Sequence, residues 1–393
     1  MKAVEIKPNV YWVGGIDWNL RNFHGYETPR GSTYNAYLIV DEKITLIDTV
    51  KHYLFDEMKS RISSIIDPTE IDIVISNHVE MDHSGSLPKI LDIVPDATLV
   101  TSKRGKKGLK KHYNKEWNYT VMDAGDLLSI GKRKLEFIPI PMVHWPDSMV
   151  TYSKTDNILF PNDAFGQHIA TTQRFDDQLE WGILKEEAAK YYANIVLPYG
   201  GQVQKALNGL SGLEFDTIAP SHGIIWRQHL DEIIKLYQRW SQNETQPYAV
   251  IAYDTMWGST EKLAKAFASG LETEGINVKI RNIKKTPFSD IITDILEAKL
   301  IAIGSPTLNN NMLPTVGGFL TYLKGLRPKK RAGFVFGSYG WGGQAVNLIE
   351  NMLKDLSWEI PEENLNINYV PNEKDLDIIK NKGIKIAKKL ENK

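Results

Sequence analysis

The 393-residue chain contains no cysteine. That absence excludes disulfides, thiolate zinc sites, a cysteine nucleophile, and cysteine-ligated iron–sulfur or rubredoxin centres. Any metal must therefore be held by His, Asp and Glu, and redox chemistry would require an organic cofactor or an outside electron donor. Net charge is nearly absent too: 47 Lys and Arg against 48 Asp and Glu leave a formal charge of −1. A nearly neutral protein gains little from a polyanion, so neither nucleic acid nor an anionic membrane is an expected partner. The basic stretch Lys103-Arg104-Gly105-Lys106-Lys107 is a local exception and a candidate docking surface. No run of about 18 apolar residues occurs, and Met1 to Pro8 lacks an apolar core of signal-peptide length. The expectation is a soluble, cytoplasmic protein.

What is present is ordinary for a globular protein, with 42% hydrophobic and 24% charged residues in a chain long enough for two domains. From Val10 to about Ile225 short apolar runs alternate with turns, as at Tyr37 to Val40, Ile44 to Ile47, Ala97 to Val100 and Leu135 to Pro139. Strands dominate there, with helical patterns at 53–65 and 184–195. A further helical pattern at 229–240 leads into the polar segment Ser241 to Pro247, which reads as a linker. Beyond it strands are expected at 248–253, 277–282, 299–304, 332–337 and 365–370, each followed by a helix. Five such units imply an α/β fold with a parallel sheet covered on both faces, whose ligands bind at the carboxyl ends of the strands. The expected domains are 1–245 and 246–393.

Residues 78 to 83 read His-Val-Glu-Met-Asp-His, directly after the apolar run Ile71 to Ile75. Four potential metal ligands thus fall on one strand-end loop. With 9 His and 48 acids in the chain, a His-x-acid-x-acid-His run is expected by chance on the order of 0.003 times, so a mere polar turn is a poor account. His144 (in Val143-His144-Trp145-Pro146-Asp147-Ser148), Asp163 (in Pro161-Asn162-Asp163-Ala164) and His222 (in Ser221-His222-Gly223) also sit where strands give way to loops. Each alone reads as an ordinary core or surface residue. Together the four histidines and three carboxylates suffice for two metals with one bridging carboxylate, and their hard oxygen and imidazole donors suit iron, manganese or zinc.

The order His78, Asp82, His83, His144, Asp163, His222 is similar to the metallo-β-lactamase fold, whose zinc hydrolases carry His-x-His-x-Asp-His in the first loop. Here Glu80 stands at the second position. With the segments 144–148 and 159–168, that substitution resembles the flavodiiron proteins. The resemblance implies two iron ions, one held by His78, Glu80 and His144, the other by Asp82, His83 and His222, with Asp163 bridging. It also places His24 and Tyr26 near the metal pocket as candidate hydrogen-bond or proton donors, with Tyr191 a further candidate for which helix packing is an equal reading. His52, His112, His168 and His229 read as structural or surface residues.

In the second half, the first strand runs into Asp254-Thr255-Met256-Trp257-Gly258-Ser259-Thr260, followed by a helix. Hydroxyls and backbone N–H groups at a helix N-terminus suit a phosphate, although Ser259 or Thr260 could equally be a simple N-cap. The loop resembles the flavodoxin phosphate loop for FMN. Two later strand ends carry flavodoxin-like ring contacts: Pro306, Thr307, Leu308 and Asn309 after the third strand, and Ser338, Tyr339, Gly340, Trp341, Gly342 and Gly343 after the fourth. Glycines there let backbone approach a flat ligand, and Trp341 or Tyr339 can stack on it.

The resemblance covers about Val10 to Lys393. It implies reduction of dioxygen to water, of nitric oxide to nitrous oxide, or of both, with FMN reduced by an external donor, rubredoxin or a reduced deazaflavin coenzyme. It further implies a head-to-tail homodimer or tetramer that brings flavin and irons of different subunits together. Two rivals are a binuclear zinc hydrolase of the metallo-β-lactamase fold and a flavodoxin-like electron carrier with an idle metal domain. Glu80 and the flavin loops count against the first, seven intact ligand positions against the second.

Overall fold

The computed structural model describes residues 1–391. Its chain contacts divide it into two compact units: Met1–His24, Thr28–Tyr192 and Tyr199–Gln238 form one, and Gly25–Glu27, Ala193–Pro198 and Arg239–Lys393 the other. Among the described residues no helix is long and apolar enough to cross a membrane.

In the first unit, two sheets carry the structure. A seven-stranded sheet has the order Val4–Lys7, Val10–Trp12, Tyr37–Ile39, Ile44–Ile47, Ile71–Ser76, Thr98–Ser102, Tyr119–Met122. A five-stranded sheet has the order Leu127–Ser129, Lys134–Pro139, Met149–Ser153, Ile158–Phe160, Thr217–Ile218. Alternation along the strands sends one set of side chains between the sheets, where Trp12, Tyr37, Ile47, Ile73 and Ile75 meet Phe137, Met149 and Phe160. The opposite face of the larger sheet buries Leu46, Val74 and Leu99 against Met58, Ile62, Leu87 and Ile90 of the covering helices.

Asn77, at the end of strand Ile71–Ser76, ties both sheets together. Its backbone N–H donates to Asp48 at the end of the neighbouring strand (2.8 Å), its carbonyl accepts from the Met149 amide (3.0 Å), and its side-chain oxygen accepts from the Thr151 hydroxyl (2.8 Å). Burial pushes the Asp48 carboxyl up to about 6 despite the nearby His83 and the hydrogen bonds from Asn77.

The second unit is a five-stranded, fully parallel sheet in the order Asn277–Asn282, Gln246–Tyr253, Ala298–Gly304, Ala332–Tyr339, Leu365–Asn368. The helices Ser259–Thr273, Phe288–Ile295, Pro314–Leu326, Gln344–Asp355 and Glu373–Glu391 follow the strands in turn. This is the α/β doubly wound pattern the strand–helix rhythm implies, and the order reverses between the first and third strands, which makes a crevice at their carboxyl ends.

The expected linker at 241–247 is shorter than its polarity suggests. The preceding helix, Leu230–Ser241, includes Ser241, and Gln246 and Pro247 begin the first strand of the second unit. Proline is tolerated there because it stands at the start of the strand. The expected helix at 184–195 is a regular helix at Trp181–Tyr191 followed by a wider turn, Tyr192–Val196.

Candidate functional site

All seven candidate ligands converge at one end of the first unit. His78 and Glu80 follow the strand Ile71–Ser76, and Asp82 and His83 occupy the short helical turn Met81–Ser84 rather than open loop. His144 and Asp163 come from loops of the smaller sheet, after Lys134–Pro139 and Ile158–Phe160, and His222 follows Thr217–Ile218. Two groups form: His78, Glu80, His144 and Asp163 in one, Asp82, His83 and His222 in the other, with donor atoms within 4.8 Å of one another in each.

Asp163 faces both. Its Oδ2 lies 3.4 Å from His78 Nε2 and 3.2 Å from His144 Nε2, while its Oδ1 lies 2.9 Å from His83 Nε2 and 3.5 Å from His222 Nε2. Glu80 Oε2 completes the first group at 3.3 Å from His78 Nε2 and 3.4 Å from His144 Nε2. Asp82 Oδ2 completes the second, 3.3 Å from His83 Nε2 and 3.2 Å from His222 Nε2.

A metal bound at about 2.0–2.2 Å from N and O donors holds those donors roughly 3–3.5 Å apart, which is the spacing found. The carboxylate oxygens of Asp82 and Asp163 and the His83 Nε2 are buried with no hydrogen-bond partner outside the cluster. Buried polar atoms of that kind call for a ligand. The residues present therefore fit a pair of metal ions.

Electrostatics agree. Burial disfavours an imidazolium, yet the surrounding carboxylates override it: Asp82 and Asp163 bring His83 up to about 9, and Asp163 and Glu80 bring His144 up to about 9. His78 is raised as well, by hydrogen bonds to Asp147 and Glu80. Burial would raise the Glu80 and Asp163 carboxyls, but hydrogen bonds and charge from the same histidines hold both below the usual carboxylate range. The cluster is a set of anions compensated by cations, the arrangement a metal pair replaces.

Two supports orient the ring nitrogens. His78 Nδ1 donates to Asp147 Oδ2 at 2.9 Å, and His222 Nδ1 donates to the Thr33 carbonyl at 2.9 Å, so that in both the Nε2 faces the centre. Sequence reasoning assigned neither Asp147 nor Thr33 a role. The non-glycine residues Asp48, Asn162 and Phe165, in the loops around the cluster, have left-handed backbone.

The other candidate residues are placed as follows. His24 Nε2 lies 3.2 Å from Glu80 Oε1 on a side chain that is 74% exposed, so it stands at the mouth of the pocket. Tyr191 is buried, its ring 5.8 Å from that of His222 and 5.2 Å from that of His168. Burial, then the charge of Asp163, raises its phenol well above the ordinary value, which keeps it a proton-bearing donor at neutral pH. Tyr26 is buried in the segment Gly25–Glu27, which groups with the second unit. His168, read as structural, is buried with its Nδ1 2.7 Å from the Ser32 hydroxyl.

In the second unit a cavity of about 680 Å³ opens at the carboxyl ends of the first, third and fourth strands of the chain order. Thr255, Met256, Trp257 and Ser259 line one side, Pro306, Thr307, Leu308 and Asn309 another, and Ser338, Tyr339, Gly340, Trp341 and Gly342 a third. Gly258, Thr260 and Gly343 do not line it. Gly258, at φ 88°, provides the left-handed turn before the helix Ser259–Thr273, and its N–H donates to the Thr255 hydroxyl at 3.0 Å. Thr260 is fully buried beneath that turn. Asn310, the last residue of the expected loop after the third strand, also lines the cavity, as do Tyr369 and Val370, which were not anticipated. Trp257 and Trp341, each 93% exposed, stand unpacked at its rim. A cavity of this size, with a helix N-terminus on one side and unpacked aromatic rings at its edge, fits a phosphorylated planar ligand.

Residues 33–223 match the ODP family beta lactamase model and residues 251–380 the flavodoxin model. A nitric oxide reductase of Moorella thermoacetica is 47% identical over 99% of this chain and 99% of its own length. The solved rubredoxin oxygen:oxidoreductase of Desulfovibrio gigas superposes with a TM-score of 0.98 at 39% identity, covering 100% of this chain and 99% of that one. The chain belongs to the flavodiiron protein family. A flavodiiron protein of Giardia intestinalis superposes with a TM-score of 0.97 at 36% identity, over 99% of this chain and 96% of that one. As a flavodiiron chain it combines a metallo-β-lactamase-like unit with a flavodoxin-like one, and its likeness spans both.

Proposed function

We propose that this flavodiiron chain is an oxidoreductase that reduces dioxygen to water, nitric oxide to nitrous oxide, or both, with electrons from FMN. The observation that carries the reading is Asp163, whose two carboxylate oxygens face two separate histidine groups, one of which contains Glu80. A carboxylate in place of a fifth imidazole favours a harder, redox-active ion over zinc, so the hydrolase alternative is set aside. His78, Glu80 and His144 would hold one iron, Asp82, His83 and His222 the other, with Asp163 bridging. FMN would place its phosphate at the loop Thr255–Thr260 and its ring among Trp257, Tyr339 and Trp341. When bound, the reduced flavin and two ferrous ions supply the electrons for reducing the gas.

The chain's own residues do the rest. Asp147 and the Thr33 carbonyl hold the imidazoles of His78 and His222 in the tautomer that presents Nε2 inward. Tyr191, protonated at neutral pH, offers a hydrogen-bond donor beside His222. His24, at the exposed mouth beside Glu80, is placed to exchange protons with solvent. The surrounding ligands are almost fully buried, so bulk water is kept from the pocket floor.

Since the chain has no cysteine-ligated iron centre of its own, the reading requires an external donor, rubredoxin or a reduced deazaflavin coenzyme. It also pairs subunits head to tail, in a dimer or tetramer, and locates the protein in the cytoplasm. Metal and flavin content on protein made in iron-replete medium tests it, together with dioxygen and nitric oxide uptake under chemically reduced rubredoxin or deazaflavin. About two irons and one FMN per chain with gas uptake are expected; two zincs and no flavin would overturn it.

A further inference from the structure

A row of aromatic rings runs outward from the candidate metal ligands. Trp145 follows His144 directly, and its indole stands edge-on to His78 with ring centroids 5.1 Å apart. The row continues from Trp145 to His112 at 6.5 Å, from His112 to Tyr113 at 6.0 Å, from Tyr113 to Trp117 at 5.6 Å and from Trp117 to Tyr119 at 6.1 Å. Trp145, Tyr113, Trp117 and Tyr119 are only partly buried and pack on the rim of the core beneath the larger sheet. The row therefore joins a ligand to the surface, unlike the enclosed rings of Tyr37 and Phe137.

Its polar surroundings differ from end to end. The Tyr113 hydroxyl lies 2.8 Å from the Ser84 hydroxyl, which itself donates to the carbonyls of Val79 and Glu80. At the far end the ammonium groups of Lys106 and Lys110 lie 5.2 and 5.9 Å from the Tyr119 ring. Positive charge against a ring face stabilises its electrons, so Tyr119 is harder to oxidise than Trp117.

Indole and phenol are the side chains most readily oxidised by one electron, and rings this close pass electrons in short steps. Reducing dioxygen to water takes four electrons, and a donor that falls short leaves oxidising equivalents against His78 and His144. We propose that Trp145, Tyr113 and Trp117 are a protective electron row that discharges those equivalents to the surface, an inference that rests on the dioxygen-reducing function proposed above.

In each event one electron moves inward. Trp145 is oxidised as the oxidant at the ligands gains that electron. Tyr113 refills Trp145 across the His112 ring, losing its phenol proton to solvent at the half-buried edge of the row, and regains a proton from solvent when Trp117 refills it. Trp117 is reduced at the surface by a low-molecular-weight thiol, which loses one electron and one proton to become a thiyl radical. Two such radicals couple to a disulfide, so the side chains end unchanged.

The test uses the iron- and FMN-loaded protein, exposed to dioxygen with the donor limiting and the thiol omitted, then digested and mapped for oxygenated residues by mass spectrometry. In the native chain oxygenation is expected at Trp117 before Trp145. In Tyr113→Phe and Trp117→Phe it should move inward to Trp145 and the ligand histidines, and activity should be lost in several-fold fewer turnovers while the initial rate with ample donor is retained. Tyr119→Phe should match the native chain. Because the sequence has no cysteine, Lys107→Cys provides a unique attachment point for a ruthenium photo-oxidant. A flash should then yield tryptophanyl absorption that reaches Trp145 in the native background but not in Tyr113→Phe. The same oxygenation pattern in all variants, or a flash signal indifferent to Tyr113, would overturn the row. Absence of dioxygen uptake by the native loaded protein would instead overturn the oxidase reading on which it rests.

Discussion

Asp147 offers the sharpest test of how the candidate metal site is held. It is buried, and one of its oxygens, Oδ2, accepts from both His78 Nδ1 at 2.9 Å and the Val79 amide at 2.8 Å. In Asp147→Ala both donors lose their acceptor inside the protein, at about 1–3 kcal/mol each. Adding them gives roughly 2–6 kcal/mol of lost stability, with some of it recovered if water enters the space. His78 is also freed to turn, and loss of such an outer partner typically weakens metal binding about 10- to 100-fold. Asp147→Asn separates charge from geometry, because its single carbonyl oxygen can occupy the Oδ2 position and accept both bonds. Only the charge assistance is lost, which roughly halves the strength of each bond. Anaerobic competition for ferrous ion against a chelator, with thermal unfolding alongside, should rank native, Asn and Ala in falling order. An alanine variant that holds iron as tightly as the native chain would refute the argument, as would an asparagine variant that binds more weakly than alanine.

The remaining expectations are more compact. In protein stripped by a chelator, His83 and His144 titrate near 9 in the folded state against about 6.5 unfolded. Their contribution to stability is thus complete below about pH 6.5 and is lost as pH rises through 9. The melting temperature of stripped protein should fall across that window, and metal loading at neutral pH should release protons measurable in weakly buffered solution. Asp163→Asn should lower bound metal from about two ions to one or fewer, with flavin content unchanged; two retained ions would exclude a bridging role. Gly223→Ala places a Cβ 1.8 Å from Gln167 Oε1 at a φ of 80°, so a loss of about 2–4 kcal/mol in thermal or denaturant unfolding is expected. Trp341→Ala should leave the flavin-free protein's melting temperature unchanged, since the ring is 93% exposed, while weakening FMN binding about tenfold in a fluorescence titration.

The residues that the fold gathers into the candidate centre were largely legible in the chain, because their chemistry is rare and their order fixed. Within residues 78–83, acid and histidine stand at intervals that chance does not supply, and His144, Asp163 and His222 each follow a strand end that the apolar pattern marks. The groups that orient those ligands were hidden. A Pro-Asp pair such as Pro146-Asp147 reads as an ordinary turn, and the Thr33 carbonyl has no sequence signature because every residue carries one. Long-range pairing decides both.

The parallel sheet of the second unit was readable from its alternating rhythm, since its three central strands lie buried on both faces. Its first strand was not fully readable: Gln246 and Pro247 are polar or helix-breaking and suggest a linker, yet the Gln246 amide bonds to the Glu297 carbonyl and joins the sheet. Tyr369 and Val370 were missed at the flavin cavity for a similar reason, as the loop after the fifth strand carries none of the glycine and hydroxyl cues that marked the other three.

The candidate ligands of the first unit come from both of its sheets: His78, Glu80, Asp82 and His83 from the larger, His144, Asp163 and His222 from the smaller. Metal ions bound there would act as cross-links between layers far apart along the chain, the role that disulfides play in other small cores and that a cysteine-free sequence cannot fill. Such a staple is reversible, and its strength follows the free metal concentration. Iron supply would therefore set mechanical rigidity as well as chemistry, and starvation for iron would loosen the sandwich before any residue changed.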